Sequence, residues 1–177
     1  MERKLFLGAN TPDGFVGYFD KIIEMYNLKK LYILKGGSGV GKSTFIKKFA
    51  EVFLAKDKTL DVNYFYCSAD PNSLDGAIIE NLNVGIIDGT APHITDPHYP
   101  GLIDEIIDLS QFIDPKKLAC TREQIDEITA AKRKHYYNAT AHLSKAREQH
   151  MQLEALYKPA VDFKRIDELL ARLIIIP

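Results

Sequence analysis

The stretch Gly36-Gly37-Ser38-Gly39-Val40-Gly41-Lys42-Ser43 constrains this chain most, because it satisfies G-x-x-x-x-G-K-[ST]. Glycines at these steps permit positive φ and let successive backbone N–H groups close around the oxygens of an anion. A helix beginning at the lysine aims its positive dipole end at the same charge. The flanks agree, since LYILK at Leu31 to Lys35 predicts a short buried strand and Lys42 to Leu54 predicts a helix. With glycine at about 7% of residues, the pattern arises by chance in under about one chain in a hundred of this length. The anion it suits is a nucleoside triphosphate. Gly36, Gly37, Ser38, Gly39, Val40, Gly41, Lys42, Ser43 and Thr44 are the expected binding residues, with Lys42 on the β and γ phosphates and the Ser43 hydroxyl on Mg²⁺.

A carboxylate at the end of a neighbouring strand is expected to complete the magnesium shell. Val84-Gly85-Ile86-Ile87-Asp88 is an apolar run ending in one, so Asp88 is assigned to the metal, with a turn beside Gly89 as the plainer alternative. No glutamate follows Asp88 to orient water, and no N-K-x-D sequence reads guanine, which favours ATP over GTP. DVNYFYC at Asp61 to Cys67 predicts a further strand. The polar run Cys67 to Gly76 after it should emerge at the carboxyl edge of the sheet, where open α/β folds bind ligands. There Asp70 is the candidate catalytic carboxylate beside Lys42 and Asp88, with Asp75 as a second choice; the alternative for each is a turn beside Pro71 or Gly76.

Composition places these motifs in a globular chain. Of 177 residues 46% are apolar, enough for a core, and 23 Lys plus Arg against 24 Asp plus Glu leave no bulk field to draw in nucleic acid or an anionic membrane. Cys67 and Cys120 are too few for a disulfide framework, and no run of about 18 apolar residues could span a bilayer. A cytoplasmic location is expected.

All 11 glycines fall between Gly8 and Gly101, and this shift divides the chain. Residues 1–118 alternate short β-rich runs with helical ones, FVGYFDKIIEMY at Phe15 to Tyr26 among the latter, while IDEIIDL at Ile103 to Leu109 fits strand or helix. Residues 119–177 predict a helical extension. Thr121 and Gln124 have capping-box spacing, and Arg122 to Tyr157 would extend about 54 Å if unbroken. Ala139, Leu143, Ala146, His150, Leu153 and Tyr157 form a seam in steps of four and three, suited to its own domain or to a coiled-coil-like partner. DFKRIDELLARLIIIP predicts a last helix.

Several polar groups admit two readings. His93, Asp96 and His98 share one loop that would sense a γ-phosphate, carry a proton or simply lie in solvent, and they lack the spacing of zinc ligands. His135, His142 and His150 lie on one helix face over about 10 Å apart and are expected to be structural. Lys132-Arg133-Lys134 would pair with phosphates as a lid does, or form a solvated face. Arg122, Arg133 and Arg147 are available as catalytic arginines.

Four phrases resemble an uncharacterised bacterial family of tandem P-loop ATPase-like proteins. They are LFLGANTPDGF at Leu5 to Phe15, LKGGSGVGKST at Leu34 to Thr44, CSADPNSLDG at Cys67 to Gly76 and DGTAPHITDPHYPG at Asp88 to Gly101, spread over a span of about half the chain. The resemblance implies nucleotide binding at Gly36 to Thr44 and two P-loop halves joined by helices. This chain would be the amino-terminal half with its connector, partnered by a second half or another subunit through the helices after Thr121.

The expected fold is α/β, a three-layer P-loop NTPase fold with a mostly parallel sheet and a long helical extension. Three functions remain open: a Mg-dependent ATPase first, then a nucleotide or small-molecule kinase, then an ATP-gated interaction module that does not turn over.

Overall fold

The run Leu31-Tyr32-Ile33-Leu34 is apolar on both faces because it forms β4 (Lys30–Lys35), a strand with neighbours on both sides and covered sheet faces. The structure, a computed structural model, describes residues 1–174. The other strands are β1 (Glu2–Leu5), β2 (Gly8–Thr11), β3 (Gly14–Gly17), β5 (Val62–Tyr66), β6 (Leu74–Ile79), β7 (Val84–Asp88) and β8 (Asp104–Asp108). The helices are α1 (Ile22–Met25), α2 (Lys42–Lys56), α3 (Pro115–Ala119), α4 (Arg122–Tyr157) and α5 (Phe163–Ile174). Six strands form one sheet in the order β1-β5-β6-β7-β4-β8, and β2 and β3 form a separate hairpin.

The sheet is mixed. β1 with β5, β4 with β7 and β4 with β8 are parallel, but β6 runs antiparallel to both β5 and β7. The reason is chain length: β5, β6 and β7 follow one another through connections too short for the dozen or more residues of a parallel crossover. The second of these is one turn, Glu80–Leu82, closed by Asn83 at φ 55.

Side-chain alternation divides the core between the two faces. Leu31, Ile33, Phe65, Ile78 and Ile87 face one side and meet Phe19, Ile22 and Ile23 from the segment before β4. Leu34, Val62, Ala77, Ile79 and Ile86 face the other and meet Ile46 and Ala50, one turn apart on α2. The sheet is thus a middle layer. Each fully buried isoleucine or leucine here contributes roughly 1.5–3 kcal/mol relative to exposure.

Two expectations near the ends of elements need correcting. The helix expected at Phe15 to Tyr26 is reduced to a turn at Phe19–Lys21 and α1, because Phe15 belongs to β3. The hairpin pairs Gly8 with Gly17, and the Phe15 ring occupies the space where a Cβ on Gly8 would sit. The capping box does not form, for Thr121 Oγ1 donates instead to the Leu118 carbonyl at 2.9 Å. The ambiguous Ile103 to Leu109 stretch is strand β8.

α4 is unbroken for 36 residues, about 54 Å, and none of them is buried. It meets the body near its middle, where Ser144 Oγ donates to the Pro12 carbonyl at 2.9 Å and Arg147 pairs with Asp13 at 2.8 Å. Thr140, Leu143 and Ser144 are half-buried there, whereas Leu153 and Tyr157 of the seam are exposed. On α5, Phe163, Ile166, Leu169, Leu170 and Leu173 line one exposed face. The remainder of the apolar end, 175–177, lies outside the described residues.

Candidate functional site

Lys42 begins α2 where the loop from β4 turns over, and its side chain folds back on that loop. Its Nζ donates to the carbonyls of Gly36 at 2.8 Å and Gly37 at 3.0 Å. The turn needs positive φ at Gly36 (141), Gly39 (84) and Gly41 (91), a conformation that side chains rarely adopt. At Gly36 a Cβ would also meet Val40 Cγ2 at 2.8 Å, whereas at Gly37, Gly39 and Gly41 it would enter open space. No side chain covers the loop at Gly37, Gly39 or Gly41 in the direction a Cβ would take.

Asp88 ends β7 directly beside β4, in register with Leu34. Its Oδ2 lies 3.6 Å from Lys42 Nζ, with both side chains nearly nine-tenths covered. Its Oδ1 accepts from the Thr90 N–H at 2.9 Å and the Thr90 hydroxyl at 2.6 Å. Asp88 thus both makes a turn and faces the lysine, so the two readings of this residue are compatible. The Ser43 hydroxyl accepts from the Leu74 N–H at 2.9 Å, which ties α2 to the start of β6. A cavity of about 340 Å³ is lined by Gly39, Gly41, Lys42, Ser43, Thr44, Ser73, Leu74 and Asp88.

This donor set fits Mg²⁺ with a polyphosphate. A hydroxyl and a carboxylate are hard oxygen ligands, and magnesium takes one or two protein oxygens while phosphates and water supply the rest. Among the described residues no three His, Cys, Asp or Glu converge as a transition-metal site would require. His93, Asp96 and His98 do not share one, because His93 faces Asp75 and Asp96 faces Lys35.

Lys35, the last residue of β4, holds the loop that follows β7. Its Nζ donates to the carbonyls of Gly89 at 2.9 Å and Thr95 at 2.8 Å and to the Asp96 carboxylate at 3.1 Å. Gly89 N–H in turn donates to the Leu34 carbonyl at 3.0 Å. The strand that delivers the glycine loop thereby also fixes the backbone next to Asp88.

Within the loop that follows β7 a buried histidine turns inward and meets a buried aspartate. His93 Nε2 lies 3.2 Å from Asp75 Oδ2, and the His93 ring stacks on Phe19 with centroids 4.4 Å apart. Burial opposes protonation of this ring, but the hydrogen bond and charge of Asp75, with the charge of Asp88 beyond, outweigh it and raise its pKa above 6.5. His93 Nδ1 is buried without a partner. Burial also pushes the Cys67 thiol up, so it is a poor nucleophile.

The expected catalytic Asp70 is not brought to the cavity. It is exposed, and its carboxylate accepts from the Asn72 N–H at 3.0 Å, closing the turn that its neighbour Pro71 suggests. Asp75 was expected in the same polar loop but lies within β6, turned to the core. The Asp75–His93 pair and the contacts of Lys35 and Leu74 join residues far apart in the chain and are not legible in local sequence. For the burial of Asp75 the available signal was LDGAII itself, a six-residue run too apolar for a solvated loop. Of Arg122, Arg133 and Arg147, the last is engaged with Asp13.

No family model, curated protein or solved structure matches this chain.

Proposed function

We propose that this chain is a P-loop nucleoside-triphosphate-binding protein that binds Mg-ATP at Gly36 to Thr44 and hydrolyses it. One observation carries the reading: Lys42 is held at the mouth of a positive-φ glycine loop, with Asp88 facing it and Ser43 next in the chain. The Lys42 bonds to Gly36 and Gly37 hold the ammonium where a phosphate oxygen can replace a carbonyl as its partner. The Ser43 hydroxyl and Asp88 Oδ2 are the oxygens that would hold Mg²⁺, which neutralises charge on the transferring phosphoryl group when bound. The first N–H groups of α2 are free of intrahelical partners and add a fixed positive field. The P-loop NTPase fold, the tandem architecture and a partner reached through α4 and α5 belong to the same proposal.

A kinase is the second reading. Asp88 is the one carboxylate lining the cavity among the described residues, so no separate base stands there for water. An acceptor hydroxyl brought by a substrate is the alternative nucleophile.

Phosphate release from Mg-ATP with no acceptor added, for wild type beside Lys42→Ala, separates the two. Release that the variant abolishes establishes the ATPase. ATP binding without release excludes acceptor-free hydrolysis by this chain and leaves transfer to an acceptor, turnover completed by a second half, or binding without turnover.

A further inference from the structure

The segment of α4 that crosses the body is basic in a way its packing does not use. Between Glu127 and Glu148 the helix carries Lys132, Arg133, Lys134, Lys145 and Arg147 and no acidic residue. Arg147 is paired with Asp13, but among the described residues Lys132 and Arg133 make no ion pair. Both project beside loops at the carboxyl edge of the sheet. A cleft of about 560 Å³ separates Lys132 and Tyr136 from Ser68 and Ala69, after β5. A second, of about 330 Å³, separates the same two side chains and Arg133 from Ala91 and Pro92, after β7. Neither cleft is lined by a carboxylate.

We infer that this double cleft is a ligand site for a small anion with a ring or similar apolar body, its charge held by Lys132 and Arg133 and its body against Tyr136. Adjacent cations over a concave surface repel one another, and an anion seated between them relieves that repulsion and gains charge-assisted hydrogen bonds. Arg133 lines the second cleft, together with Ala91, Pro92 and Thr129. The first adds His135 and the apolar Ala139 and Leu143, and Lys132 Nζ lies 6.0 Å from the centroid of the Tyr136 ring that the two clefts share. Clefts of these sizes suit a ligand of drug-like or smaller volume, with few polar groups fixing its orientation. The loops that form the far wall also reach the phosphate loop, through Ser73 and Leu74 on one side and Asp88 on the other. The second ligand therefore sits on the backbone that shapes the first site. The inference does not depend on nucleotide binding.

Calorimetric titration with phenyl phosphate, using the full chain, tests it. Wild type binds saturably, Lys42→Ala binds equally well, and a Lys132→Ala/Arg133→Ala double variant binds at least tenfold more weakly with unchanged circular dichroism. Phenol and inorganic phosphate each bind at least tenfold more weakly than phenyl phosphate. Equal binding by the double variant overturns the inference, as does absence of binding by wild type, or phosphate matching phenyl phosphate. Loss in Lys42→Ala alone would place the probe in the phosphate loop, which overturns this site and leaves the nucleotide reading standing.

Discussion

The Ser43 hydroxyl accepts a hydrogen bond from the Leu74 N–H at 2.9 Å, so the residue expected to ligate magnesium also anchors the first residue of β6. The hydroxyl keeps its proton and a second lone pair, and one atom can serve both contacts. Ser43→Ala removes both. The Leu74 N–H then loses its partner, at a cost of about 1 kcal/mol, which lowers Tm by roughly 2–4 °C in a chain of this size. Magnesium should then cease to strengthen ATP binding. Ser43→Thr retains the hydroxyl and should keep both properties, as thermal melts and titrations with and without Mg²⁺ would show.

Asp88 divides its oxygens between Thr90 and Lys42. Asp88→Asn can keep an acceptor for Thr90 while removing the charge, so the fold should persist. The expected effect is on the metal: nucleotide binding without magnesium is little changed or improved, because a negative charge near the phosphates is gone, and the gain from adding magnesium falls at least tenfold. Equal magnesium dependence in wild type and variant would remove Asp88 from the metal shell.

Much of this arrangement is legible in the sequence because it is local. Glycine spacing specifies the positive-φ loop before α2, an apolar run bounded by Lys30 and Lys35 specifies β4, and the glycine-free stretch before Pro159 specifies α4. What escaped depends on contacts across the chain. LDGAII forms β6 because both its neighbours, β5 and β7, are present to satisfy its backbone, and Asp75 is tolerated inside because His93, 18 residues on, meets it. The hairpin of β2 and β3 escaped because its strands have four residues each and its stability rests on where one ring, Phe15, packs.

The His93–Asp75 pair makes stability depend on pH with a definite sign. The folded pKa of His93 is raised, with Asp75 and Asp88 as the acidic neighbours. Its charged form therefore contributes stability fully below about 6.5, and that contribution is lost as pH rises through the folded value. Denaturant unfolding across this window should show the margin of wild type over His93→Gln shrinking as pH increases. A margin that is constant or grows would contradict the assigned coupling.

Gly89 joins Asp88 to the loop held by Lys35. A Cβ there would fall on Ile33 Cγ2 and lie 3.1 Å from the Thr95 carbonyl oxygen, so Gly89→Ala forces β4 and this loop apart. Overpacking of this kind costs about 1–3 kcal/mol. Because Asp88 is the adjacent residue, magnesium-dependent nucleotide binding should weaken along with Tm. Gly37→Ala, whose Cβ would meet open space, should leave Tm nearly unchanged.

Equilibrium titration of Mg-ATP into wild type and Lys42→Ala bears most directly on the nucleotide site. Lys42 supplies a charge-assisted bond of about 1.5–3 kcal/mol, so the variant should bind roughly 10–150-fold more weakly while remaining folded. Equal affinity in the two proteins, or no binding of Mg-ATP by wild type, would contradict the assignment of Gly36 to Thr44 as a phosphate-binding loop.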